Sequence, residues 1–337
     1  MDAISLSALT ESEDFCDRMG IRPGDSINFE LMGHGEYNIN YLFSQPTTEK
    51  KLVLRIPMGS QMHLSNQIRY EFEALRLLAP TGRTPAPLYI DDTLAVIPYG
   101  FLVMSFLPGR PLNYESDLTE AACCLADIHN LEISENTHLL APQNPLAAIL
   151  DECRAMFRKY TDSGMAVPSI VSIISSLLER GQGILKNAKP SGNRCLINTE
   201  LNSGNFLVND CENTYLVDWE KPLYACPGQD LGHFLAPTTT FWKTDTILTE
   251  GEIQKFLQSY CGSSARFSNP AELWELTLPY FAMNCLRGIT WCAMAMVEYQ
   301  SPDRLLKDAF TYEKIKIYIS PEFLERIGKD YILEASS

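Results

Sequence analysis

The stretch from Cys195 to Glu220, CLINTELNSGNFLVNDCENTYLVDWE, constrains this chain more than any other. Two short apolar runs, Phe206-Leu-Val208 and Tyr215-Leu-Val217, flank the polar segment Asn209-Asp-Cys-Glu-Asn-Thr214. Apolar runs separated by turn-forming residues predict a β-hairpin. A hairpin folds the chain back on itself, so the residues before its first strand and after its second are expected at one end. Those residues are Glu200, Asn202 and Asn205 on one side, and Asp218 and Glu220 on the other. Carboxylates and a carboxamide gathered in this way are hard oxygen donors suited to Mg²⁺, and a carboxylate beside them can take a proton.

The spacing narrows the chemistry. Asn205 lies five residues after Glu200, and Asp218 follows thirteen residues later. Protein kinases place a catalytic-loop acid, a metal-binding Asn and a metal-binding Asp in the same order. The stretches Asn198-Thr-Glu-Leu-Asn-Ser-Gly-Asn205 and Val217-Asp-Trp-Glu220 resemble the aminoglycoside phosphotransferase and choline kinase superfamily. Its loop commonly reads HGDLHPGN or HNDxxxGN, followed by IDWE. There are two departures: Asn198 stands where the family has His, and Glu200 where it has the catalytic Asp.

The resemblance implies an α+β, protein-kinase-like fold in two lobes. A small lobe with a five-stranded antiparallel sheet is expected over residues 1–106, and a larger, mainly helical lobe over 107–337. It also implies ATP and Mg²⁺ as cofactors, Asn205 and Asp218 as metal ligands, and Glu200 as the group facing the acceptor hydroxyl.

The first lobe reads accordingly. Strands are expected over Ser26–Leu31 and Ile39–Phe43, joined by a turn carrying Gly33 and Gly35, and a third over Lys51–Ile56. The two glycines suit either a plain hairpin or a loop whose amides cover phosphates. Arg55 holds the place of the phosphate-binding Lys of the kinase third strand, and its guanidinium preserves the charge. Helical spacing of Ile68, Phe72, Leu75 and Leu78 places Glu71 on a helix as the candidate partner of Arg55. Two further strands, Leu88–Asp91 and Phe101–Phe106, lead to a hinge at Leu107-Pro-Gly-Arg-Pro111. By the resemblance, Met104 to Phe106 face the adenine.

After the hinge, helices are expected over Leu118–Leu131, Pro145–Tyr160, Val167–Leu185, Thr249–Tyr260, Pro270–Tyr299 (whole or broken), Pro302–Tyr312 and Pro321–Ile332. His129 reads as a structural hydrogen-bonding residue. Asp230 either anchors the catalytic loop or caps a helix. Trp242 follows Pro237-Thr-Thr-Thr240 in what reads as a loop, and with Trp291 and Glu220 it is a candidate for contacting the acceptor.

Composition sets the outer bounds. Lys and Arg total 27 against 42 Asp and Glu, giving a net charge of −15. That argues against nucleic acid or an anionic membrane as partner and is compatible with a cationic small molecule such as an amino alcohol or amino sugar. The N-terminal stretch lacks a basic segment followed by a long apolar one, and the ten cysteines show no metal-ligand spacing. A cytoplasmic protein with reduced thiols is the expectation. Two readings of activity stay open: an ATP-dependent small-molecule kinase, and a nucleotide-binding protein of the same fold weakened by Glu200.

Overall fold

The computed structural model describes residues 6–34, 38–60, 62–189, 191–210, 213–300 and 309–333. The chain divides into two compact units. One comprises Met1–Pro111, Ile133–Leu139 and Asn205–Pro222, and the other Leu112–Glu132, Leu140–Gly204 and Leu223–Ser337. The hairpin that the sequence reading assigned to the second lobe therefore clusters with the first.

The first unit is built on a five-stranded antiparallel sheet. Its strands are β1 (Glu30–His34), β2 (Asn38–Ser44), β3 (Lys51–Pro57), β4 (Pro87–Asp91) and β5 (Phe101–Ser105), in the order β1-β2-β3-β5-β4. β1 begins later than the expected Ser26. Its pairing runs from His34↔Ile39 to Glu30↔Leu42, so the strand is measured from the connection to β2 rather than from the start of the β-rich composition.

Helices α1 (Ser7–Glu11) and α2 (Glu13–Met19) cover one face of the sheet. Ser12 caps α2 by accepting from the Phe15 amide, and Gly20 ends it at φ 64°, a left-handed value that glycine adopts without steric cost. Phe15 is fully buried and meets Phe43, Tyr89 and Phe101 at ring separations of 6.4, 5.8 and 6.0 Å. Burying an aromatic ring of this kind contributes about 1.5–3 kcal/mol.

Side chains alternate across a strand. Leu52, Leu54 and Ile56 of β3 join this aromatic core. Arg55 is thereby directed to the opposite face, where α3 (Gln67–Leu78) carries Glu71. A second, three-stranded sheet in the same unit contains β6 (Arg110–Pro111), β8 (Phe206–Val208) and β9 (Tyr215–Leu216). β8 and β9 form the expected hairpin, in the register Phe206↔Leu216.

The second unit is mainly helical. It contains α4 (Leu118–His129), α5 (Pro145–Thr161), α6 (Pro168–Asn187), α7 (Pro227–Leu235), α8 (Pro237–Lys243), α9 (Glu250–Ser263), α10 (Pro270–Gln300), α11 (Ala309–Tyr318) and α12 (Pro321–Asp330). A two-stranded sheet pairs β7 (Cys195–Ile197) with β10 (Leu223–Ala225). Most helices match the expected spans to within a few residues. α10 is unbroken despite Pro279 in its interior. The expected Pro302–Tyr312 helix lies partly outside the described residues, and its described part belongs to α11.

α7 and α10 pack closely enough to require glycine. A Cβ on Gly232 would stand 2.5 Å from the Phe281 nitrogen. That contact fixes the helix carrying Asp230 and His233 against the long helix carrying Arg287. Among the described residues, no helix is long and apolar enough to cross a membrane, and the nine cysteines are all unbridged.

Candidate active site

In the first unit the site is organised by one guanidinium. Arg55 is almost wholly buried. Its Nε lies 2.8 Å from Glu71 Oε1, and one Nη lies 2.7 Å from Asp218 Oδ1 and 3.5 Å from Glu220 Oε2. Burial alone would lower the Arg55 pKa, but the charges of Glu71, Asp218 and Glu220 outweigh it and raise the guanidinium above its ordinary value. Burial raises Glu71, and the charge of Asp218 adds to that, against the lowering effect of Arg55. Glu220 is pushed up to about 7 by burial and by Asp218, against Arg55 and a hydrogen bond from Asn38.

The backbone here is pinned as well. Gln67 Nε2 donates to the Glu220 carbonyl at 2.6 Å, and Tyr70 donates its hydroxyl to the Pro222 carbonyl. α3 thus reaches the segment after the hairpin through two side-chain hydrogen bonds, and β3 through the Glu71–Arg55 ion pair.

Asn205 and Asp218 stand at the same end of the hairpin, because the Val217 amide donates to the Asn205 carbonyl at 2.9 Å. Asp218 has φ 65°, left-handed backbone that is uncommon outside glycine. Its side chain is 36% exposed, the most open of the three carboxylates around Arg55. Three carboxylates face one guanidinium, so negative charge is in excess, and every donor at this end is oxygen. That is the donor set of a hard divalent cation such as Mg²⁺, which keeps most of its waters and needs only one or two protein ligands. Among the described residues no group of three or more His, Cys, Asp or Glu could hold a metal ion by itself; Asn205 and Asp218 are oxygen-bearing residues at one end of the hairpin, of the chemical kind that Mg²⁺ takes.

In the second unit the loop leading to Glu200 is held from α7. Asp230, fully buried, accepts from the amides of Asn198 and Thr199 at 2.8 and 2.7 Å. His233 Nδ1 accepts from the Leu201 amide at 2.9 Å. Asp230 therefore anchors the loop and does not cap α7, whose N-cap is Cys226. His129 is buried between Tyr260, 2.9 Å from its Nδ1, and Asp230, 3.3 Å from its Nε2. Asn198 accepts the Glu200 amide through its Oδ1 at 3.1 Å, so the residue in the place of the usual His fixes the next part of the turn. Thr199, with φ 76°, is a strained position for a β-branched residue.

Glu200 is 29% exposed at its side chain, and its Oε1 lies 3.6 Å from an Nη of Arg287. Arg287 in turn forks onto Glu152, with Nε 3.0 Å from Oε2 and Nη2 3.3 Å from Oε1. Burial would lower the Arg287 pKa, but Glu152 and Glu200 raise it above the ordinary value. Sequence reasoning missed Arg287, Glu152 and His233. The single charged residue in the apolar run Leu286 to Val297 was the available signal for the first.

The remaining candidates fall as follows. Gly33 lies exposed in β1, where an added Cβ would meet nothing within 4 Å, and Gly35 lies outside the described residues. Met104 and Phe106 are half-buried at the end of β5. The amides of Ser105 and Phe106 donate to the carbonyls of Ala86 and Lys51, so neither amide is left over from the sheet for a nucleotide. Trp242 is not in a loop: Pro237 starts α8, and Trp242 sits on that helix, half-buried. It packs edge-on against Trp291 at 5.3 Å and against Tyr318 at 5.4 Å. Trp219 is core, its indole donating to the Leu216 carbonyl at 3.0 Å.

Comparisons with known proteins bear on the fold and the family. No curated protein matches the chain. Among solved structures it is similar to a choline kinase from Cryptosporidium parvum, with a TM-score of 0.67 at 13% identity, covering 97% of this chain and 96% of that one. It is also similar to an ethanolamine kinase from Plasmodium vivax, at 0.61 and 14% over 90% of this chain and 84% of that one. A third similar structure is a spectinomycin phosphotransferase bound to ADP and spectinomycin, at 0.62 and 14% over 92% and 94%. These likenesses establish the kinase-like α+β fold. The profile of the phosphotransferase enzyme family matches residues 28–273, most of the chain, and the chain belongs to that family.

Proposed function

We propose that this protein transfers the γ-phosphoryl group of ATP to a hydroxyl of a small cationic molecule, an amino alcohol or amino sugar. The observation that carries the reading is the buried Arg55, paired at once with Glu71 of α3 and with Asp218 beyond the hairpin. A structural ion pair needs one partner; a guanidinium shared among three acids at a strained Asp is more than that, and it supports a phosphate-handling role. The similar structures are named as kinases of choline and ethanolamine and as a phosphotransferase bound to spectinomycin, which supports the choice of acceptor.

Each residue then has a role derived from its chemistry. Arg55 presents charge to the phosphates, and Glu71 fixes its orientation. Asn205 and Asp218 would hold Mg²⁺, which supplies charge neutralisation on the phosphate oxygens when bound. Glu200 orients the acceptor hydroxyl and accepts its proton as the hydroxyl oxygen bonds to the γ-phosphorus. The bond from that phosphorus to the bridging oxygen breaks, ADP leaves, and the proton passes from Glu200 to water. Positioning and electrostatics supply most of the rate in such reactions, so a Glu in place of Asp is chemically competent provided that it is held in place.

Three observations support a cationic acceptor: the net charge of −15, the carboxylates around Arg55, and the half-buried Trp242 and Trp291. A cation on an aromatic face gains ~0.5–2 kcal/mol. The test is a panel of amino alcohols and amino sugars, each paired with its neutral deaminated analogue and assayed for phosphorylation at low and high salt. Faster phosphorylation of the charged members, with the advantage shrinking in salt, is expected. Preference for the neutral members would overturn the acceptor class and leave phosphoryl transfer standing.

A further inference from the structure

Arg287 lies in the apolar run of α10 with its side chain only 20% exposed. A charge in such a place is costly unless its partners repay it. Its fork onto Glu152 uses two nitrogens, and a bidentate pair fixes the plane of the guanidinium. The Nη2 that faces Glu200 is therefore fixed in position too. α10 itself is held here, since a Cβ on the adjacent Gly288 would lie 2.7 Å from Thr238. If Arg287 served only to tie α10 to α5, Glu152 would be sufficient. Instead the same nitrogen also lies 3.6 Å from the carboxylate of Glu200. The backbone of Glu200 is separately fixed by Asn198, and its neighbours by Asp230 and His233.

We infer that Arg287, clamped by Glu152, is a positioning residue that holds the carboxylate of Glu200 and so lets a Glu serve where related loops carry an Asp. This deepens the proposed function and rests on it. The extra methylene of Glu gives its carboxylate more freedom, and displacement by about 1 Å can cost ~100-fold in rate. A fixed cation beside the carboxylate removes that freedom without touching the acceptor. The charged groups around Arg287 are Glu152 from α5 and Glu200 from the loop, with the buried thiol of Cys153 behind them.

The experiment compares Arg287→Met, Arg287→Lys and Glu152→Gln, with Arg287→Met also made in a Glu200→Gln background. Arg287→Met is expected to lower kcat by ~10- to 100-fold while leaving the KM for ATP within about twofold. Arg287→Lys, which keeps the charge and provides a second variant should Met impair folding, is expected to restore part of the loss. In the Glu200→Gln background the Met change should cost less than about threefold, because the group it acts through is gone. Glu152→Gln, which loosens the clamp, is expected to reproduce part of the loss; an equal loss from Arg287→Met in both backgrounds, or no loss from it in the wild-type background, would overturn the inference.

A readout independent of turnover accompanies these assays. With ¹³C-labelled Glu, the Glu200 carboxyl resonance, identified by its disappearance in Glu200→Gln, is titrated in wild type and in Arg287→Lys and Arg287→Met. Removing the cation should raise its midpoint by about half a pH unit or more. An unmoved midpoint in Arg287→Met would refute the inference even if the kinase is active. A wild type that transfers no phosphate would refute the proposed function, and the titration would still decide whether Arg287 holds Glu200.

Discussion

At the residue scale, Asp218 combines an unfavourable backbone with an electrostatic network that keeps it there. Its φ of 65° costs an L-residue about 1 kcal/mol or more, and Arg55 at 2.7 Å helps to offset it. Such strain persists only where the surroundings over-determine it. The proposed role of Asp218 leads to a direct expectation for Asp218→Asn, which keeps a residue tolerant of left-handed backbone and removes the charge. ATP with Mg²⁺ at ~100 times its dissociation constant should stabilise the wild type by about 2.7 kcal/mol, and the variant by far less. Comparing the nucleotide-induced shift in Tm, rather than Tm itself, separates lost binding from the loss of one partner of Arg55. A shift of equal size in both proteins would contradict the metal assignment.

At the scale of elements, α3 presents Glu71 to Arg55, and its N-terminus is fastened by Asp92. The Asp92 carboxylate takes a fork from Arg69 at 2.6 and 2.7 Å and a further hydrogen bond from Asn66, the helix cap, at 2.6 Å. Hydrogen bonding from Arg69, against a smaller opposing effect of burial, lowers Asp92 to about 2. Since the folded value lies below the ordinary one, the stability it brings is present above pH ~4 and is lost as the pH falls toward about 2. Arg69 is 51% exposed, so solvent screening reduces the contribution to about 1 kcal/mol. Asp92→Asn should therefore cost about 1 kcal/mol in urea denaturation at pH 7, with the gap to wild type narrowing as the pH is lowered through 4 toward 2.5. A gap that is constant with pH would show that Asp92 acts by packing rather than by charge.

Most elements were legible because their signals are local. Ile68, Leu75 and Leu78 recur at helical spacing and are buried, and the same spacing sets Glu71 on the buried side of α3. The hairpin was legible from its apolar runs and polar turn. Arg287 was not, because its partner Glu152 is 135 residues away and no periodicity links them. Trp242 was misplaced because three consecutive threonines suggested a loop, whereas Pro237 at the first turn of α8 starts a short helix that tertiary packing sustains.

At the scale of the whole molecule, the residues proposed to act are divided between two compact units. The first holds Arg55, Glu71, Asn205, Asp218 and Glu220; the second holds Glu200 with Arg287 and Glu152. The chain passes from one unit to the other between Gly204 and Asn205, within the five residues that separate Glu200 from Asn205. The function proposed for it is an ATP-dependent phosphorylation that depends on both sets. The measurement that tests this most directly is a single-turnover assay with γ-labelled ATP, enzyme in excess and a panel of amino alcohols and amino sugars, run with and without Mg²⁺. Wild type should form a phosphorylated acceptor only with Mg²⁺, Asp218→Asn should fail at nucleotide binding, and Glu200→Gln should bind ATP with nearly unchanged affinity yet transfer phosphate at least ~10-fold more slowly. Equal rates of transfer in wild type and Glu200→Gln, or no labelled acceptor from wild type with any member of the panel, would contradict it.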